Sequence, residues 1–154
     1  MATQQENTER SRALAHKFVE VGTTRKIDRL ADIFDPDAMW NIVVDKAVAG
    51  YGGSKPATEV FAEATANMAS FNEYSFKAQN LIAEGNHVFI DVAVYGNGPG
   101  PVEYRQNYAF VLTTSGDKIT DVKVWSDPSP VKAWMEAMQK YEKELATSEI
   151  TGHV

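Results

Sequence analysis

The sequence of 154 residues contains no cysteine, which excludes a disulfide-bonded scaffold, a thiol nucleophile and a metal site built on thiolates. It also lacks an excess of positive charge, since 15 Lys and Arg residues stand against 21 Asp and Glu residues, for a net charge of -6. Phosphate binding needs a face rich in Lys and Arg, so this balance argues against nucleic acid as a partner. The apolar runs are too short to cross a membrane, and we expect no membrane partner.

The first ten residues are polar and contain no apolar core of the kind that a secretion signal requires, so we expect a cytoplasmic protein. The chain length is typical of one domain, and we predict that residues 1–154 form one, with a polar arm over 1–10 and a polar tail over about 143–154. No phosphate loop or dinucleotide fingerprint occurs, and the three histidines have no metal-binding spacing. The sequence therefore predicts neither a cofactor nor a metal.

Helical spacing of apolar residues marks the first part of the chain and its end. The spacing predicts helices over 14–21 and 27–34, the second ending before Pro36. Ser54 followed by Pro56 predicts the start of a third helix. A last helix is predicted by the apolar stripe of Val131, Trp134, Met135 and Met138.

From residue 73 onward the apolar period changes to two, which is typical of β-strands. Separated by hairpin-type turns, four strands are predicted over 74–83, 87–95, 102–113 and 118–126. A short strand is predicted earlier, over 38–44. Helices followed by hairpin-connected strands indicate an α+β fold, in which a curved antiparallel sheet wraps around N-terminal helices and a C-terminal helix follows.

Two stretches of the chain resemble the nuclear transport factor 2-like superfamily. Residues 34–40, FDPDAMW, resemble the step into the first strand of SnoaL-like polyketide cyclases, limonene-epoxide hydrolases and ketosteroid isomerases. Residues 117–128, which include DKIT and WSDP, resemble the last strand of these proteins. The resemblance implies a cone-shaped domain with an apolar pocket between sheet and helices. It also implies a small polyketide- or terpenoid-like substrate of secondary metabolism, although one fold hosts many functions.

Most catalytic groups of the ketosteroid isomerases have no counterpart in this chain. Phe18 stands at the position of their oxyanion tyrosine, and Ile42 at that of their proton-shuttling aspartate. Tyr108 lies near the position of their second aspartate and could donate a hydrogen bond. Without a carboxylate at position 42, the steroid type of isomerisation is not expected.

The epoxide hydrolases share only one acidic position with this chain. Trp40 and Ile42 stand where they have a tyrosine and an asparagine, and Val124 stands where they and the cyclases have an aspartate. Their Arg-x-Asp motif is matched by Phe89-Ile90-Asp91, so only Asp91 remains.

Asp91 interrupts the most apolar strand of the chain, residues 88–95. A carboxyl group buried there would ionise less readily, which suits a general acid or base near neutral pH. Strand alternation alone allows another interpretation, because the aliphatic residues at 88, 90, 92 and 94 form one row and Asp91 belongs to the other. The row of Asp91 also holds Phe89, Ala93 and Tyr95, so both faces are expected to be covered, and we place Asp91 in the pocket.

The strand over 102–113 has an apolar row interrupted by polar groups. Tyr104, Gln106 and Tyr108 alternate with polar residues and precede two apolar positions in the same row, so the row should face inward. Gln106 and Tyr108 could bind a ligand oxygen, or they could be satisfied polar groups of the core. A register slip by one residue would present Asn107 instead.

Three functional hypotheses follow. The first is a cofactor-free SnoaL-like isomerase, cyclase or lyase, with Asp91 as acid and base and with Gln106 and Tyr108 binding a substrate oxygen. The substrate would be small and apolar, in a pocket shaped by Phe18, Trp40, Ile42, Phe89, Tyr104 and Val124. An epoxide hydrolase is the second hypothesis, and a non-catalytic binding or assembly module is the third. In each case we expect a homodimer through the outer face of the sheet.

Overall fold

This computed structural model describes residues 1–151, which contain three α-helices and six β-strands. The helices are α1 (Gln4–Thr24), α2 (Ala57–Ala69) and α3 (Pro128–Thr151), with a short 3-10 helix over Ile27–Asp32. The strands are β1 (Phe34–Ile42), β2 (Gly53–Pro56), β3 (Glu73–Glu84), β4 (His87–Asn97), β5 (Glu103–Ser115) and β6 (Lys118–Trp125). The α+β prediction is confirmed. Residues 152–154, the end of the predicted polar tail, lie outside the described residues.

The six strands form one sheet in the order β2-β1-β6-β5-β4-β3. Strands β3, β4, β5 and β6 pair antiparallel in this order, through connections of two to five residues. Strand β1 instead runs parallel to β6, with Trp40 opposite Val122. The sheet is therefore mixed and not antiparallel throughout, because β1 and β6 are joined by a long crossover of one helix and four strands, as parallel neighbours require.

Two local predictions in the first half of the chain are wrong at their boundaries. The short helix ends at Asp32, and Phe34 begins β1, where it is paired with Ile119. Ser54 and Pro56 belong to β2, which pairs antiparallel with β1, and α2 starts only at Ala57. In both places strand pairing with a distant segment outweighs the local helical signal.

Helix α1 packs against the inner face of the sheet, chiefly against β3. We call the space between that face and the helices the cone, its end at Phe18 the narrow end, and its end at α3 the wide end. Phe18 is its central side chain, since the Phe18 ring centroid lies 5.3 Å from that of Phe110 and 6.2 Å from that of Trp40. The rings of Phe34 and Phe76 complete this aromatic cluster at 6.3 and 6.4 Å. The narrow end of the cone is therefore filled by aromatic rings.

A buried polar contact fixes the other end of α1. Ser11 is fully buried, and its hydroxyl group donates to the Gly85 carbonyl oxygen at 2.7 Å and is hydrogen-bonded to the Thr114 hydroxyl group at 2.7 Å. These bonds tie α1 to the β3–β4 turn and to β5. Within the described residues, no helix is long and apolar enough to span a membrane.

Candidate functional site at the wide end of the cone

Asp91 lies on the outer, convex face of the sheet. Its neighbours Ile90 and Val92 are fully buried on the inner face, so the pleat directs Asp91 outward. There the Asp91 Oδ2 accepts a hydrogen bond from the Asn80 amide at 3.2 Å. Our prediction that Asp91 lines the interior is wrong, because the aliphatic residues of β4 occupy the inner face of this strand. Its role as acid or base stays a prediction.

The remaining predicted site residues separate into two groups by face. Phe89 lies in the outer row with Asp91 and is 38% exposed, so it does not shape the interior as predicted. The others belong to the interior, with Ile42 and Tyr108 only partly buried: Phe18, Trp40, Ile42, Tyr104, Gln106, Tyr108 and Val124. The inward row of β5 therefore has the register that the alternation predicts.

Two tyrosines of β5 meet at the wide end of the cone. Tyr104 and Tyr108 are four residues apart on the same strand face, and their hydroxyl groups are hydrogen-bonded to each other. Gln106 lies between them and is buried. Its amide group donates to the Asp127 carbonyl oxygen at 2.6 Å, and its side-chain oxygen accepts from the Asn107 backbone N–H at 3.1 Å. Gln106 is thus a satisfied polar group that anchors the start of α3 to the sheet.

Helix α3 covers this end of the cone. Asp127 caps the helix, since its Oδ1 accepts from the Ser129 backbone N–H at 2.9 Å, and this bond holds the pKa of Asp127 below its usual value. Nearly two turns into the helix, the Trp134 ring stacks on Phe71 at 5.6 Å and lies 5.9 Å from the Tyr104 ring. The pocket implied by the family resemblance stays a prediction, because Trp134 lies over the wide end and the aromatic cluster fills the narrow end.

Two further polar groups belong to this place, and the sequence analysis missed both. The Tyr51 hydroxyl group and the Trp134 indole nitrogen are buried and have no hydrogen-bond partner within the described part of the chain. Tyr51 lies in the segment between β1 and β2 and acts electrostatically on Tyr104 and Tyr108. We refer to Tyr51, Tyr104, Tyr108 and Trp134 as the mouth cluster. A lone aromatic residue among the glycines at 50, 52 and 53 is the one signal that pointed to Tyr51.

The tyrosines of the mouth cluster remain protonated at neutral pH. Burial raises the pKa of Tyr104 and raises that of Tyr108 further, and the neighbouring Tyr104 hydroxyl group adds to the second effect. Burial together with the charge of Asp127 raises the pKa of Tyr51. These groups can therefore donate hydrogen bonds to a ligand oxygen and are not bases at neutral pH.

Charged side chains are excluded from the interior. Among the residues whose burial the structure describes, the buried polar side chains are those of Ser11, Gln106 and Thr114, and none of them is charged. The same part of the chain contains no group of three His, Asp or Glu side chains that could hold a metal ion. The interior therefore offers a ligand neutral hydrogen-bond donors within an apolar surface.

A separate groove of about 470 Å³ runs between α2 and residues 25–31. None of the predicted site residues lines it. Its one cationic side chain, Arg25, is engaged with the protein itself, since its guanidinium group donates to the Phe71 carbonyl oxygen at 3.0 Å. We therefore base the candidate site on the mouth cluster.

Comparison with known families identifies residues 15–122 as a match to the model of the SnoaL-like domain. The matched stretch runs from within α1 into β6 and includes Tyr104 and Tyr108, but it ends before α3. A search of curated protein sequences finds no match.

Solved structures of low sequence identity share the fold. IdmH from Streptomyces antibioticus, described as a candidate polyketide cyclase, is 14% identical with a TM-score of 0.65, over 82% of this chain and 98% of that chain. An epoxide hydrolase of the LEH-like type from M. tuberculosis is 12% identical with a TM-score of 0.65, over 89% and 98%. A protein from Catenulispora acidiphila with a ketosteroid isomerase-like fold, solved with trimethylamine, is 19% identical with a TM-score of 0.63, over 79% and 90%. These likenesses confirm the nuclear transport factor 2-like fold.

Proposed function

Because the chain belongs to the SnoaL-like domain family, we propose that it binds a small apolar molecule at the mouth cluster and promotes isomerisation or cyclisation of that molecule. The observation that carries the proposal is the hydroxyl pair of Tyr104 and Tyr108, which faces the apolar interior at its wide end. A carbonyl oxygen placed there would accept a hydrogen bond from the one hydroxyl proton that the pair does not use internally. Such a donor stabilises the negative charge that develops on the oxygen when a neighbouring carbon loses a proton to water or hydroxide from the solvent.

A second function, binding without catalysis, is favoured by the uncharged interior. Enolisation also needs a proton acceptor, and no Asp, Glu or His side chain is buried within the residues for which burial is described. Asp127 is the carboxylate whose charge acts on the mouth cluster, through Tyr51, but its lowered pKa makes it a weak base. The epoxide hydrolase hypothesis is less well supported, because it requires a carboxylate beside a water molecule in the interior.

A ketone probe tests the proposal and separates the two functions. We expect 2-acetylnaphthalene to bind more tightly than 2-ethylnaphthalene, which has the same rings but no oxygen, by about 3- to 10-fold, the value of one hydrogen bond. Tyr108→Phe should abolish this preference. Catalysis is measured as exchange of the methyl protons of the ketone for deuterium in D2O by NMR, and Tyr108→Phe should slow it on the order of 100-fold.

Two outcomes of this experiment count against the proposal. Binding that depends on Tyr108, without accelerated exchange, would assign the chain to the binding function. Asp91→Asn is the matched control and should change neither binding nor exchange, since Asp91 lies on the opposite face of the sheet. Loss of exchange in Asp91→Asn would instead restore Asp91 as the acid or base.

We also propose that the chain forms a homodimer through the outer face of the sheet. Ile82, Phe89 and Val111 are neighbours across three strands of that face, and Trp125 is paired with Ala109 beside them. Ile82, Phe89 and Trp125 are 65%, 38% and 40% exposed. Contiguous apolar surface of this kind is typical of an interaction site.

Phe89→Lys should therefore raise the dimer dissociation constant at least about 10-fold, because it places a charge in a desolvated contact. Sedimentation equilibrium over a concentration series measures the effect. Met135→Lys is the control, since Met135 is exposed on α3 and not on this face. A wild-type protein that stays monomeric at high micromolar concentration would contradict the proposal.

A further inference from the structure

The mouth cluster contains two kinds of hydrogen-bond donor, and only one kind has a hydrogen-bond partner within the described part of the protein. In the pair of Tyr104 and Tyr108 one hydroxyl group donates to the other, and the second proton remains for a ligand oxygen. The Trp134 indole nitrogen and the Tyr51 hydroxyl group are buried without a partner in the described part of the chain. Unpartnered buried polar groups are rare in folded proteins, and each is explained by a functional role, a bound water molecule or a bound ligand.

The chemistry of Trp134 restricts what its partner can be. An indole N–H can only donate, so its partner must be an acceptor atom. The indole is also held in place, since the ring stacks on Phe71 with an angle of 30° between the planes. The start of its helix is anchored by the hydrogen bond from Gln106 to the Asp127 carbonyl oxygen. A fixed donor loses little conformational entropy when a ligand binds.

We propose that Trp134 and Tyr51 form a second oxygen-binding position, so that the site selects ligands with two acceptor oxygens over ligands with one. This inference rests on the proposed function, in which Tyr104 and Tyr108 bind the first oxygen. The two positions come from different parts of the chain: the first from β5, the second from α3 and the β1–β2 segment. A ligand with oxygens at both ends of an apolar skeleton would engage both.

Trp134 lies outside the part of the chain that matches the SnoaL-like domain. The match ends at residue 122, and Trp134 follows after the end of β6 and nearly two turns of α3. Helix α3 therefore adds to the mouth cluster a donor from outside the matched residues.

The test compares 2,6-diacetylnaphthalene, with two ketone oxygens, and 2-acetylnaphthalene, with one. Wild-type protein should bind the diketone about fivefold more tightly, the value of one further hydrogen bond. Trp134→Phe keeps a ring against Phe71 and Tyr104 but removes the N–H, and it should abolish the preference. Tyr51→Phe should reduce it. Trp125→Phe, on the outer face, is the matched control and should retain it.

A measurement on the wild-type chain makes the test independent of whether the variants fold. The three tryptophans give three indole N–H resonances. With the diketone, the Trp134 resonance should move downfield and that of Trp125 should not. The inference is overturned if the Trp134 resonance stays in place while the diketone binds, or if Trp134→Phe retains the preference.

Failure of the inference and failure of the proposed function give different results. If the monoketone binds in a manner that depends on Tyr108 while Trp134→Phe has no effect on the diketone, only the second oxygen-binding position is wrong. If neither ketone binds at its solubility limit, both proposals are wrong.

Discussion

Replacing Phe18 with alanine is expected to lower the free energy of unfolding by about 3–5 kcal/mol, the range for removing a large aromatic side chain from a packed core. Phe18 is 5% exposed and contacts rings from three strands, among them Trp40 and Phe110. The surrounding rings are themselves held by the sheet and by one another, so they cannot collapse into the space that the substitution leaves. Most of the cost of the cavity should therefore remain.

Urea unfolding followed by circular dichroism measures this loss. Phe89→Ala is the matched control, because it removes the same atoms from a ring that is 38% exposed on the outer face. In monomeric protein it should cost under about 1 kcal/mol. Equal losses at the two positions would contradict the assignment of Phe18 to the core and Phe89 to the surface.

Raising the pH above about 10 is expected to destabilise the protein steeply. Burial raises the pKa of Tyr74, Tyr104 and Tyr108 in the folded protein, whereas in the unfolded chain each loses its proton near pH 10. Above that pH the unfolded state binds fewer protons than the folded state. The stabilisation is therefore fully present below about pH 10 and is lost as the pH rises towards the folded-state pKa values.

These three groups and Tyr51, whose pKa is also raised, give a slope of up to about 5 kcal/mol per pH unit, since each proton contributes about 1.4. Urea unfolding at several alkaline pH values measures the slope, and Tyr108→Phe should reduce it by one proton. Absorbance of tyrosinate in the native protein gives an independent measurement. Ionisation of all six tyrosines near pH 10 without unfolding would contradict the prediction.

The sheet could be predicted from the sequence where local pattern and pairing agree. Strands β3 to β6 follow one another through short turns, so alternation and turn residues suffice to place them. Strand β2 could not be predicted in this way. Ser54 and Pro56 carry a local helix-start signal, and only pairing with β1 makes them a strand. The parallel pairing of β1 with β6 likewise could not be predicted, because no short stretch of the sequence contains both strands.

The candidate site could be predicted only in part, for a related reason. Alternation in β5 correctly predicts that Tyr104 and Tyr108 face inward, because the other row of this strand is more polar and favours the outer face. In β4 both rows are apolar enough to be buried, and the composition around Asp91 does not decide between the faces. Tyr51 and Trp134 approach the tyrosine pair only through tertiary packing, since one lies in a loop and the other in an ordinary apolar helix stripe.

The parallel pairing of β1 with β6 also bears on the order in which the chain folds. Strands β3 to β6 are connected by tight turns and can assemble with low loop-closure entropy. Strand β1 is synthesised well before its neighbour over 118–125. We therefore expect the four hairpin strands to associate first and β1, with β2, to dock last. The apolar wall that Trp40 contributes would thus be completed only after residues 118–125 have left the ribosome.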